Sequence, residues 1–246
     1  MKIKKILAIA FFSTMALSAE KELYAPEVVY KKFVLPDSFK EYKLHTLRTG
    51  NNDYSNPVYL SPILSNRLTI LRKNNQKHAE KLIFKLLGEE VSVSYKEGDG
   101  GDENFLIEYK NRSIKLLGTT LLISEAGYFY LQGRDNYDYT TRKKFKLTTK
   151  GLEEVKQSAY LVDLECTLSK SAVLYEKKHG KGAIVARLPK RKKVRVLLHD
   201  KTVIDDSPSD QYLISTPFGL VGWVTSSSGY MRTGGKPLNC LLYIGA

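Results

Sequence analysis

Between Ala183 and Thr225 the chain breaks into short runs of strand-favouring residues fenced by turn residues. Ala183 to Leu188 reads as a strand, Pro189 to Lys192 as a tight turn, and Lys193 to Leu198 as a strand with Val194, Val196 and Leu198 on one face. A polar loop from Asp205 to Ser209 contains Pro208, Tyr212 to Ser215 form the next strand, Pro217-Phe218-Gly219 turn the chain, and Leu220 to Thr225 form another strand. About five strands in roughly 60 residues cannot each bury an apolar face alone, so the pattern predicts closure into a small barrel or sandwich.

This order of strand and turn signals resembles the bacterial SH3 domains of exported proteins. In those domains a Leu-Pro-Lys turn joins two strands and a Gly-Trp-Val closes the barrel; Leu188-Pro189-Lys190 and Gly222-Trp223-Val224 stand at those places here. The resemblance covers about a quarter of the chain and departs from the family pattern at three points. The Asn-Val-Arg-x-Gly-Pro opening is replaced by Val173-Leu174-Tyr175-Glu176-Lys177-Lys178-His179-Gly180, Arg191 stands where glycine is usual, and the tryptophan of the fourth strand is replaced by Gln211-Tyr212. The resemblance implies a small SH3-like β-barrel over residues 161–246 that holds the protein on a surface, and it leaves the ligand open. Nor is there the aromatic pattern with which eukaryotic SH3 domains grip proline-rich helices.

The candidate ligand-binding residues are Lys190, Arg191, Lys192 and Lys193, with Tyr212 and Trp223. Eleven basic residues meet only two acidic ones, Glu176 and Asp200, between Lys170 and Lys201. Such a run is either a solvated turn or a contact for an anionic polymer. Trp223, the single tryptophan, lies in an apolar strand and reads as a packing residue or as a ligand platform.

At the other end, Lys2, Lys4 and Lys5 precede an apolar run from Ile6 to Phe12 that continues to Ala19. A basic start, a core too short to span a bilayer and small residues at its end predict a secretory signal peptide over residues 1–19, cut after Ser18 or Ala19, leaving no stable membrane span. No cysteine stands near that site, which excludes lipoprotein-type lipid attachment. The segment carries three lysines and no acid, so the formal charge of +13 falls to +10 after cleavage. That excess in an exported protein points to anionic neighbours such as a cell-wall polymer, lipid headgroups or an acidic envelope protein, and not to nucleic acid. The expected location is periplasmic or secreted.

Cys166 and Cys240 bracket the SH3-like stretch, and in an oxidising compartment they invite a disulfide that fastens its two ends, two unrelated thiols being the alternative. Without a paired histidine nearby they do not fill a metal tetrahedron, so no metal or other cofactor is expected.

Residues 20–40 read as a polar linker with Pro26 and Pro36, and residues 41–160 as a β-rich domain, giving a mainly β protein overall. The sixteen tyrosines fit that class. Pro57 to Leu60 and Arg67 to Leu71 are short strands, and Glu90 to Tyr95 with Phe105 to Tyr109 form a hairpin around a polar tip. Ala79, Leu82, Ile83, Leu86 and Leu87 fall at helical spacing and favour a helix ending at Gly88, a strand turning at Gly88-Glu89 being the alternative. Ser113 to Leu117, Thr120 to Ser124, Tyr128 to Gln132 and Lys143 to Leu147 predict an antiparallel meander, Thr149 to Lys156 a turn and connector, and Tyr160 to Leu164 a strand.

No motif in residues 41–160 favours an enzyme, an enzyme with an unrecognised site in this domain being the third alternative to envelope binding and protein docking. His45, His78, His179 and His199 are dispersed without zinc-ligand spacing, and Asp99, Asp102 and Glu103 lack the alternation of a calcium loop. Tyr128, Phe129, Tyr130, Tyr137, Tyr139 and Phe145, with Arg134, Arg142, Lys143 and Lys144, read as a β core and its solvated face, a sugar or anion groove being the minor alternative.

Overall fold

The computed structural model describes residues 35–48, 56–72, 79–97, 103–134, 140–200, 209–227, 237–238 and 240–241. The expected signal segment, His78, the 98–102 hairpin tip, Tyr137, Tyr139 and the Asp205 to Pro208 loop lie outside them. The fold is mainly β, with three sheets and a single four-residue α-helix among the described residues. None of the helices described is long and apolar enough to cross a membrane.

The first sheet, sheet A, has the order β1 (Lys43–Leu47), β2 (Asn56–Leu60), β8 (Thr120–Ile123), β9 (Tyr128–Arg134), β10 (Thr140–Thr148) and β11 (Gly151–Glu154). Sheet B is a run of hairpins: β3 (Thr69–Leu71), β4 (Lys81–Leu86), β5 (Glu89–Glu97), β6 (Glu103–Tyr109) and β7 (Arg112–Leu117). β2 and β8 run parallel, Val58 facing Leu121. Parallel neighbours need a long crossover, and here helix α1 (Pro62–Ser65) and the whole of sheet B supply it. Leu47, Val58, Leu121 and Phe129 of sheet A share one core with Leu82, Phe84, Val93 and Phe105 of sheet B.

Several expectations change. Residues 81–86 form a strand, not a helix: Leu82, Phe84 and Leu86 are buried in alternation, and Leu87 and Gly88 take φ of +53° and +84° in the two-residue turn that leads into β5. Lys110 and Asn111, at +47° and +59°, make the same kind of turn between β6 and β7. Positive φ at both turn residues matches the right-handed twist of the flanking strands. The predicted four-strand meander is divided between sheets, β7 in B and β8-β9-β10 in A, and the connector after Thr149 contains strand β11. The last residues of the expected linker form a 3-10 turn, Asp37–Phe39, that packs Phe39 on Tyr130 with ring centroids 5.0 Å apart.

Sheet C has the order β12 (Tyr160–Thr167), β15 (Lys193–Asp200), β16 (Ser209–Ser215), β17 (Val221–Ser227), β13 (Ala172–Lys177) and β14 (Lys181–Leu188). Its core is separate: Cys166, Leu168, Leu174, Val194, Val196, Tyr212, Ile214, Val224 and Leu238. Six strands take part where about five were expected, and among the described residues no pairing joins the edges β12 and β14 into a closed barrel. Val194 and Val196 are buried as predicted, but an irregularity between Val196 and Leu198 shifts the register, so that His199 turns inward in place of Leu198.

Candidate functional site

Sheet C presents the densest basic group on the turn between β14 and β15. The backbone of that turn is pinned to the residue that follows β12: the Arg191 N–H donates to the Leu168 carbonyl at 2.8 Å, and the Leu168 N–H donates to the Lys192 carbonyl at 2.9 Å. Leu168 is itself bridged to Leu238, and two residues before it Cys166 is joined to Cys240 with Cα atoms 5.3 Å apart. The disulfide therefore braces the platform on which the turn sits. Arg191 has φ of +67°, a conformation that glycine adopts without cost and that a residue with a Cβ rarely takes. Lys190, Arg191, Lys192 and Lys193 are all exposed, and none makes an ion pair among the described residues.

A second turn lies at the same end of the β15–β16 pair, because Arg195 faces Ser215 and the chain reverses just beyond. The Gly219 N–H donates to the Thr216 carbonyl at 2.9 Å, the Thr216 N–H to the Leu220 carbonyl at 2.9 Å, and the Leu220 N–H to the Thr216 hydroxyl at 3.1 Å. These bonds hold Phe218 at the tip, 89% exposed, beside exposed Leu220 and Val221. Sequence reasoning passed over Phe218 as a turn residue. Its signal is a large aromatic between proline and glycine, outside any alternating apolar pattern.

Tyr212 and Trp223 are not brought together. Tyr212 is 2% exposed, faces the core beside Val224 and stacks on His199 at 4.5 Å, so it has no surface for a ligand and leaves the candidate set. Trp223 faces the other way, half-buried, opposite Leu213 and Tyr175. The Lys178 ammonium stands 4.8 Å from its ring centroid and also pairs with the buried Asp200 carboxylate. Register links Leu161, Leu198, Leu213, Trp223, Tyr175 and Ile184 into one apolar row across all six strands, exposed at both its ends.

The aromatic group of sheet A has a structural explanation. Phe129 and Phe145 are core, while Tyr128 and Tyr130 lie on the outer face, where Lys144 sits 4.1 Å and 5.5 Å from their ring centroids. Lys146 donates to the Tyr128 hydroxyl at 3.1 Å and pulls its pKa down. Tyr42, beside Phe39, is pushed up to about 12 by burial first and then by Glu125 and Tyr130.

On sheet B an open polar cleft of about 630 Å³ is lined by residues that include Lys81, Ser92 and Glu108. The Ser92 hydroxyl donates to Glu108 at 2.7 Å and Lys81 pairs with the same carboxylate; these hydrogen bonds hold Glu108 below its ordinary pKa. An ionised carboxylate already engaged by an ammonium and a hydroxyl is a poor proton carrier near neutrality. Among the described residues no group of three His, Cys, Asp or Glu side chains is placed to hold a metal. His45 is hydrogen-bonded to Ser65 at 2.9 Å, and burial followed by the Lys43 charge lowers its pKa.

No protein-family model matches the chain, and neither curated proteins nor solved structures give a match.

Proposed function

We propose that this is an exported, non-enzymatic protein that attaches to the cell envelope through sheet C, an SH3-like module, with peptidoglycan or another anionic wall component as its ligand. The strand order supports the SH3-like reading: the hairpin β13–β14 docks through β13 on β17, the last strand of the meander β15-β16-β17. Leu188 ends β14 and Pro189-Lys190 open the turn to β15, and Gly222-Trp223-Val224 lies in the strand that meets β13. Periplasm or cell exterior suits the disulfide and the basic, apolar start of the chain.

One observation carries the binding reading: four consecutive cations stand exposed on a backbone-pinned turn, with no carboxylate paired to them among the described residues. Holding like charges together costs a few tenths of a kcal/mol per pair, which an anionic partner relieves. The test is co-sedimentation with purified cell-wall sacculi at low and high salt, beside a variant with Lys190, Arg191, Lys192 and Lys193 all changed to serine. Salt-sensitive pelleting that the variant loses is the expected result. No pelleting at low salt sinks the proposal.

The apolar row from Leu161 to Ile184 favours a second reading, in which sheet C docks another envelope protein. Such an interface keeps its strength as salt rises, where attachment through the basic turn does not.

A further inference from the structure

We propose that the end of sheet C carrying the two turns docks on an anionic phospholipid bilayer, with Phe218 entering the headgroup boundary and Lys190, Arg191, Lys192 and Lys193 lying over the phosphates. The proposal rests on the reading that this end binds an anionic envelope surface, and it names the surface.

Phe218 is the observation that a wall polymer leaves unexplained. At 89% exposure its ring contributes nothing to the core, yet three hydrogen bonds fix the turn that presents it, and Gly219 closes the turn at φ +93°. A ring presented by a preorganised turn loses little conformational freedom when it is buried. Leu220 and Val221, both exposed, extend the apolar tip into β17.

Charge and apolar surface meet at one end of the sheet. Thr167 faces Lys193 and Arg195 faces Ser215, so the start of β15 and the turn after β16 lie side by side. Asp163 is taken up by Arg195, and among the described residues none of the four turn cations pairs with a carboxylate, which leaves them for an outside anion. A glycan or an anionic polymer takes up the cations but offers no apolar phase to a ring on a convex tip. A bilayer offers both in one plane, phosphates at the surface and an acyl boundary some 5–10 Å below. A protein partner would need a pocket shaped for Phe218, and that is one outcome of the test.

The experiment uses the protein secreted under oxidising conditions, with vesicles of phosphatidylcholine alone, vesicles of phosphatidylcholine with phosphatidylglycerol, and sacculi. The variants are Phe218→Ser, Phe218→Trp and Lys192→Ser/Lys193→Ser, each checked for an unchanged melting temperature. Binding is expected to the anionic vesicles and not to those of phosphatidylcholine alone, and to weaken with salt. Each lysine lost lowers partitioning about fivefold. Phe218→Ser lowers it about tenfold without changing the salt dependence, and Phe218→Trp keeps it. Added tryptophan emission in Phe218→Trp shifts to the blue with anionic vesicles and not with sacculi.

Equal binding of wild type and Phe218→Ser to anionic vesicles overturns the inference. Pelleting with sacculi but not with vesicles also overturns it, while leaving wall attachment intact. Failure of both arms removes both proposals, and binding that appears only when envelope protein is added overturns the inference in favour of a protein pocket.

Discussion

Arg191 holds φ at +67°, a conformation that costs a residue with a Cβ roughly 1 kcal/mol and glycine almost nothing. Arg191→Gly is therefore expected to raise stability by about 0.5–1 kcal/mol in urea titration, offset in part by the freer unfolded chain. Glu108 allows a test of charge at the same scale. Its carboxyl is held below the ordinary value by hydrogen bonds from Lys81 and Ser92, so its contribution is present above the normal carboxylate range and is lost as pH falls through the lowered folded value. Glu108→Gln should lower stability to urea slightly at neutral pH, by less than about 1 kcal/mol because the pair is partly exposed, and the gap from wild type should close as pH falls through the lowered folded value. At this scale the sequence is informative where chemistry is local. The turn signal Pro189 to Lys192 could be read from residue type alone, but the sequence could not place Tyr212 and Trp223 on opposite faces, because that depends on the pairing Leu213↔Trp223.

The strands were legible wherever a short apolar run was fenced by turn residues, as in β5, β6, β14 and β15. They were not legible where two periods fit the same residues. Leu82, Ile83 and Leu86 satisfy a helical spacing, whereas Leu82, Phe84 and Leu86 satisfy a strand, and Leu87-Gly88 ends either one. Pairing with β5 decided between them, a contact that no window of local sequence contains. The switch from sheet B to sheet A after β7 was hidden for the same reason, and it rests on two glycines. A Cβ on Gly133 would stand 2.4 Å from the Gly118 Cα and 2.7 Å from the Leu117 carbonyl oxygen, both backbone atoms that no rotamer change can move. Gly133→Ala is expected to cost about 2 kcal/mol or more, read as a lower midpoint in chemical denaturation. A change below about 0.5 kcal/mol would show that β9 and the β7–β8 link can separate freely.

Two hydrophobic cores, one shared by sheets A and B and one belonging to sheet C, have no residue in common, and β11 ends at Glu154 before β12 begins at Tyr160. Their contact includes the Tyr160 hydroxyl donating to Glu154 at 2.9 Å, a part-buried hydrogen bond of modest worth. Chains built in this way unfold in more than one step when the joint is weaker than either core. The disulfide belongs to only one of the cores. Cys166 and Cys240 stand 74 residues apart in sequence, and closing such a loop stabilises by about 4 kcal/mol on chain entropy alone. Replacing both cysteines by serine should therefore move one calorimetric transition down by many degrees and leave the other in place. Because Leu168, which pins the basic turn, follows Cys166 closely and bridges to Leu238, the same change should also weaken attachment to sacculi under conditions where sheet C is still folded. A single transition that shifts as a whole would mean that the two cores fold as one unit. An unchanged affinity for sacculi would mean that the Leu168 contacts hold the turn in shape without the covalent link.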